Sequence, residues 1–286
     1  MPPAFRGTDR DCTTRSSGLG STIHLPRLSL GNAVYFQLGK TNVRIAGSMH
    51  ALPPGVPIPP WVLTAYEWSE QLYMETDTQR IDAHTYLPPG ETADQLVPPG
   101  LWRRLQDEWP KAAPPLNVRK KLWVIGVQLA FIWMAPFSPG VESVLAARSQ
   151  ASGRRVSYLE TQEEVVGLID AIDNSVLIQV LEWLLDHPGI PRRRLEEAYY
   201  AWFSGELTQL AMVIQEANIM SFPNVRETML DARNAMWLPR IMPLMSSKER
   251  TLIVVGAAHL PGPNGILALL QHRGYEAQRV SGPQGA

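Results

Sequence analysis

The chain has 286 residues, 45% of them apolar, enough to bury a sizeable core in one large domain or two small ones. A formal net charge of −1 leaves no broad basic field for a phosphate backbone, so nucleic acid is not an expected partner. The single cysteine, Cys12, excludes an internal disulfide and a cysteine-rich metal cluster, and its polar surroundings argue against a catalytic thiolate.

Residues 1–30 are polar and rich in Gly and Ser, which predicts a disordered tail without the apolar centre of a signal peptide. The chain therefore reads as cytoplasmic, with a periplasmic location open if a leader is missing. Residues 31–286 read as a single domain. AVYFQLG and NVRIAG flank Lys40 and Thr41 with β-branched and aromatic residues, which predicts a hairpin whose second strand delivers His50. Pro59 and Pro60 open a helix carried by WVLTAYEWSE, and QLYMETD then reads as a strand ending near Glu75 and Asp77. The two strands of such a β-α-β unit run parallel, so His50 and Glu75 are predicted neighbours at one sheet edge.

Residues 78–118 contain PPGE, VPPG and APPL around the short helical piece LWRRLQDEW. Their composition predicts a surface excursion or lid and argues against a second core. The apolar run LWVIGVQLAFIWMA, from Leu122 to Ala135, contains Gln128 and falls short of the ~20 residues of a membrane span. It reads as a buried helix, with an interfacial helix as the alternative and Arg119, Lys120 and Lys121 as its solvated start.

RRVSYLE is a further strand, and Thr161 to Glu164 form a capping box that starts one long helix, apolar at helical spacing through Leu184 and stopped at His187. More helices follow over RRLEEAYYAWF, ELTQLAMVIQEA and VRETMLDARNAMWLPRIMP, the last ending or bending at Pro239 or Pro243. The chain closes on the strand TLIVVG, the turn AAHLPGPNG, a helix ended by Gly274 and the strand YEAQRV. The fold class is thus α/β, a central mixed sheet with helices packed on it and a largely helical middle insertion, its two Gly-x-x-His strand ends meeting at one edge.

Those two elements run from Gly47 to His50 and from Gly256 to His259. A glycine at a strand end permits a sharp turn or a close approach, and the third residue beyond it reaches the edge where open α/β sheets bind ligands. His50, His259 and Glu75 suffice to hold a catalytic divalent metal with an open position, or to act without metal as base and acid. The plainer alternative is two solvated strand-end histidines. Arg226, Arg233 and Arg240 recur every seven residues, with Trp237 one turn from Arg233. They form either a solvated stripe paired to acids such as Asp231, or a face that points Arg233 into the site to hold a substrate carboxylate or an oxyanion. His84, His187 and His272 read as surface or capping residues. No Gly-x-Ser-x-Gly elbow, His-Glu-x-x-His helix, phosphate loop or dinucleotide fingerprint is present, which removes the common routes to a serine hydrolase, a zincin, a nucleotide hydrolase and a dehydrogenase.

GSMHALPP, METD, PGVESVLAARSQASGRRVSYLETQEE, AWFSGEL, LDARNAMWLPRI and VVGAAHLPGPNGILALLQHRGY resemble, in order, the blocks of the TraB/GumN family over about residues 33–280. That family looks related to the Tiki metalloproteases and, distantly, to erythromycin esterases. The resemblance implies a site built from both Gly-x-x-His elements. The paired histidines fall on His50 and His259, the strand-end glutamate on Glu75, the Arg-Asn block on Arg233 and Asn234, and the Leu-Glu-Thr glutamate on Glu160. Glu142 and Glu206 stand where the family usually has Asp, and both read as structural.

The resemblance implies a metal-dependent hydrolase of Tiki type acting on a peptide or small amide or ester. His50, His259 and Glu75 would bind Mn, Co or Zn, with Glu75 alternatively the base. Arg233 would meet the oxyanion or a substrate carboxylate, and Glu160, Asn234 and Asp77 would orient these groups. A metal-free esterase, in which His50 held by Glu75 activates water, is the second expectation. A protein that binds a peptide or signal without cleaving it is the third. No sequence feature sets an oligomeric state.

Overall fold

Alternating and continuous apolar runs set the strands. The computed structural model describes residues 33–216 and 219–280, so the predicted tail and Cys12 lie outside the described residues. Strands β1 (Tyr35–Leu38) and β2 (Val43–Ser48) form the predicted hairpin, with Phe36 opposite Ile45. Gly39 turns it at a φ of 54°, a left-handed value that glycine adopts without a Cβ penalty. A two-residue strand β3 (Ala51–Leu52), helix α1 (Pro60–Trp68) and strand β4 (Gln71–Met74) follow.

The main sheet has six strands in the order β6-β4-β7-β2-β1-β8, where β6 is Val156–Tyr158, β7 is Thr251–Gly256 and β8 is Ala277–Arg279. Strand β7 is buried at every position and pairs in parallel with β2 on one side and β4 on the other. A continuous apolar run such as TLIVV is what a strand covered on both faces requires. The first β-α-β unit is therefore split, because the closing strand inserts between its two strands. His50 and Glu75 still share an edge, since β2, β7 and β4 all run the same way.

The middle of the chain is helical: α2 (Pro99–Glu108), α3 (Leu122–Met134), strand β5 (Ser138–Pro139), α4 (Val141–Ser152), α5 (Gln162–Asp170), α6 (Asn174–Asp186), α7 (Ile190–Ser204), α8 (Leu207–Gln215) and the single turn α9 (Pro223–Arg226). The single long helix expected after Thr161 is two. Thr161 and Glu164 form the capping box of α5, and the Asp173 carboxylate then accepts from the Ser175 N–H at 2.7 Å to start α6. An Asp that caps locally competes with helix continuation, while the apolar spacing carries across the break and hides it.

The Pro-rich excursion does more than cross the surface. Ala93, Val97, Leu101 and Leu105 are buried with Ile125 and Leu129 of α3 and Leu181 and Leu184 of α6, in an apolar cluster separate from the one around the sheet. Its prolines stiffen connections and open α2, and a few spaced apolar residues between them supply the core face. Helix α3 is buried along one flank only, with Val127 39% exposed on the other. No described helix is long and apolar enough to cross a membrane.

Beyond α9 the chain passes through a π-helical turn, Glu227–Ala232, into α10 (Arg233–Ile241), which runs through Pro239 before tightening into a 3₁₀ turn at Met242–Ser246. The wide turn changes the angular register between Arg226 and Arg233, so Arg226 lines a surface cleft with Asp231 while Arg233 is buried. Arg240, on the same face of α10 as Arg233, reaches the half-exposed Glu164. Helix α11 (Ile266–Gln271) closes the fold before β8.

Candidate active site

Three parallel strand ends deliver the site. In the β2–β7 ladder Ser48 stands opposite Gly256, so the two Gly-x-x-His elements lie side by side, one residue out of step. Neither glycine has a positive φ; each serves close approach. A Cβ on Gly47 would meet Val34 Cγ1 at 2.6 Å and Leu260 Cδ1 at 2.9 Å, a packing constraint. A Cβ on Gly256 would lie 3.2 Å from both Glu75 Oε1 and His50 Nε2 and 3.5 Å from the His259 ring. Gly256 is thus the floor of the site.

Glu75, just past β4, is buried, and its two oxygens accept from the Gly256 N–H at 2.5 Å and from Arg233 Nη2 at 2.8 Å. Arg233 also donates through Nε to Glu160 Oε2 at 3.1 Å and through Nη2 to Glu160 Oε1. Glu160 takes a further hydrogen bond from Trp237 Nε1 at 2.9 Å. A guanidinium fork between two buried carboxylates satisfies both without water. His259, in a 3₁₀ turn after β7, packs against Trp237 at 4.5 Å between ring centroids. Its Nε2 lies 3.7 Å from Glu75 Oε1 and 3.4 Å from Arg233 Nη1.

His50 is the open member, with 60% of its side chain exposed. Its Nδ1 lies 3.0 Å from Glu142 Oε1, which also accepts from the Ser48 hydroxyl. Glu142 sits in the first turn of α4, where the helix dipole favours a carboxylate. Pairing of β5 with β3 brings that turn to His50, and Gly140 fits tightly against the His50 carbonyl, 2.3 Å from where a Cβ would be. Ligand atoms of His50, Glu75 and Glu142 all lie within 4.8 Å of one another, and Glu142 Oε2 is buried without a partner among the described residues. One imidazole and two carboxylates form a donor set that Zn, Mn or Co accepts, and a buried carboxylate oxygen without a hydrogen bond fits such a use.

The charges are set by these contacts. Burial disfavours the Glu75 carboxylate, but the fields of His259, Arg233 and His50 outweigh it and hold the group low, at about 2. Burial also pushes His259 down to about 3, so at neutral pH its ring carries no charge and Arg233 and His50 are the cations that keep Glu75 ionised. The adjacent Glu142 carboxylate raises His50 to about 9, against the smaller opposing effect of desolvation. Burial raises Glu160 in spite of Arg233.

The profile of the TraB/PrgY/gumN family matches residues 36–279. The chain belongs to that family. Neither a curated protein nor a solved structure matches the chain significantly.

Of the residues singled out in the sequence of this family member, His50, Glu75, His259, Arg233, Glu160 and Asn234 gather within one connected cluster. Asp77 lies two residues farther along, where its carbonyl accepts from Gln162 and its side chain lines a polar cleft with Tyr158 and Arg240. His259 is not in the group whose ligand atoms approach within 4.8 Å; Glu142 takes that place. Sequence reasoning passed over Glu142 as structural and Trp237 as a face-mate of Arg233. The signal for Glu142 was an acid at a position where the family keeps one, directly after the helix-opening Gly140. The two-residue strands that carry it to His50 leave no periodic trace in the sequence.

Proposed function

We propose that this protein is a metal-dependent hydrolase acting on peptide or small amide or ester bonds, with His50, Glu75 and Glu142 as the metal-binding set. The observation that carries this reading is the convergence of those three donors, one of them with a buried oxygen that has no other partner. A divalent ion held there would supply Lewis acidity and a bound water with a lowered pKa. Arg233 and the Gly256 N–H hold Glu75 ionised and in place, and Glu160 holds Arg233. His259 stands outside that group of three donors and presents a neutral Nε2 toward Glu75, the form in which an imidazole binds a metal, so it would join as a further ligand only by moving toward His50. The exposed face of His50 is the side from which substrate arrives.

A second reading drops the metal. The 3.0 Å contact of His50 Nδ1 with Glu142 favours it, because a carboxylate on Nδ1 orients the ring and leaves Nε2 to the substrate, as an acid in the protonated form that Glu142 favours and as the base for water once that proton is lost. Glu142, in place of the expected Glu75, would orient that histidine. Stripping the protein of metal and adding back Mn, Co or Zn, with hydrolysis of a mixed peptide library as the readout, separates the two. Activity restored by metal and lost in Glu142→Gln supports the first reading. Chelator-resistant hydrolysis that is lost in His50→Ala and weakened in Glu142→Gln selects the second, and peptides recovered intact under every condition leave a binding protein.

A further inference from the structure

We infer that the cavity between the Pro-rich loop and the end of α3 is a subsite for bulky apolar side chains of an extended peptide substrate, flanking the site around His50. This rests on the hydrolase reading for what is cut, though not for what is bound.

The cavity measures about 600 Å³, within the range of small-molecule sites. Trp109, Pro110 and Pro114 form one wall, and Phe131, Trp133 and Phe137 the other, with Gln128 adding an amide to an otherwise apolar and aromatic lining. The walls are held in shape. Trp109 Nε1 donates to the Pro114 carbonyl at 2.9 Å and closes the loop. Arg192, from α7, donates to the Met134 carbonyl at 3.2 Å and the Pro136 carbonyl at 2.6 Å and fixes the rim. Phe131 and Phe137 meet edge to face at 5.4 Å. Phe137 is nonetheless 40% exposed, so apolar surface is presented on a fixed frame.

Chain continuity ties the cavity to the site. Phe137 is followed directly by β5, where Ser138 stands opposite Leu52 and Pro139 opposite Ala51, the residue after His50. Gly140 then packs on the His50 carbonyl. Three residues separate Phe137 from that contact, about 10 Å at the reach of an extended chain. A peptide in extended form covers the same span with about three residues, and its side chains at alternate positions fall on one face. Apolar side chains three to four residues from the bond at His50 therefore reach the cavity.

The test uses fluorescein-labelled eight-residue peptides of a polar Ser/Gly host with Phe, Leu or Ser placed at each position in turn. Binding is measured by fluorescence polarisation to the full chain, to Phe137→Glu and Phe131→Glu, and to Glu142→Gln. Expected is a preference of at least about tenfold for Phe or Leu over Ser at positions clustered three to four residues from one point. Phe137→Glu and Phe131→Glu erase the preference, and Glu142→Gln keeps it. Phe137 is exposed enough for the charge to be tolerated, and unchanged thermal melting checks this. Preference without cleavage in the wild type refutes the hydrolase reading and leaves the subsite standing. No preference, or one that survives both Phe variants, overturns the inference. So does a cavity filled by self-association or by phospholipid vesicles, seen as concentration-dependent dimerisation or vesicle sedimentation that Phe137→Glu abolishes in the absence of peptide selectivity.

Discussion

Asn234 decides which nitrogen of His259 carries the proton. Its amide nitrogen donates to the carbonyls of His259 at 3.2 Å and Asn264 at 2.9 Å, which fixes the orientation of the amide. Its oxygen then faces His259 Nδ1 at 2.7 Å and accepts from it. The network assigns the Nδ1–H tautomer and leaves the bare Nε2 toward Glu75.

Asn234→Ala removes that assignment and strands two carbonyls. Hydrolysis is expected to fall by about 10–100-fold, the usual cost of losing a group that orients a ligand. Stability is expected to fall by about 1–3 kcal/mol from the unpaired carbonyls. Nitrogen NMR of the His259 ring, with activity measured alongside, checks both; an unchanged tautomer with full activity would refute the assignment.

Gly256→Ala tests the floor of the site. Its φ of −50° suits alanine, so the backbone is unstrained, yet the new methyl stands 3.2 Å from Glu75 Oε1 and His50 Nε2. His50 can swing into solvent, whereas Glu75 is pinned by Arg233 and by the Gly256 N–H itself. Metal affinity by calorimetry is expected to drop by about tenfold or more, since donor positions tolerate little error. The melting temperature should move little; a wild-type affinity in the variant would remove Gly256 from this role.

Arg233→Met leaves Glu75 and Glu160 facing each other, buried and without their shared cation. Breaking such a pair is expected to cost about 3–5 kcal/mol, measured by urea unfolding. Adding Glu160→Gln to that variant should recover part of the loss, because one uncompensated charge is gone. Equal stability of the two variants would show that Glu160 is protonated already.

Glu164 joins the α5 capping box to Arg240, whose hydrogen bonds hold its carboxyl at about 2, below its ordinary 4.5. A depressed carboxylate contributes stability that is present above about pH 4.5 and is lost as pH falls through about 2. The slope of melting temperature against pH in that window should be shallower in Glu164→Gln. Glu75 titrates over the same range, so part of the slope remains. A variant whose slope equals the wild type's would assign the acid limb elsewhere.

Local chemistry was legible in the sequence. The hairpin, the Thr161 capping box, the β7 core strand and the His50–Glu75 proximity all follow from patterns of a few residues. What was hidden depends on pairing at a distance. Nothing local says that β7 enters between β2 and β4, and two-residue strands such as β3 and β5 have no period to read. Glu142 was lost for that reason, although its residue type fits the chemistry. The π turn ahead of Arg233 was hidden as well, since it breaks a sevenfold arginine spacing that a straight helix would keep on one face. Four apolar residues dispersed among prolines were enough to anchor 78–118 in a second core, a density too low for composition to register.

The parallel β2–β7 ladder also sets when the site can exist. His50 and His259 are 209 positions apart in the chain, and the strand that brings them together is among the last to be synthesised of those described. Until Thr251–Gly256 has left the ribosome, β2 and β4 have a gap between them and Glu75 lacks the Gly256 N–H that helps to hold it. A nascent chain of this wiring lacks the assembled cluster, and its exposed β2 edge must be kept from other partners during that wait.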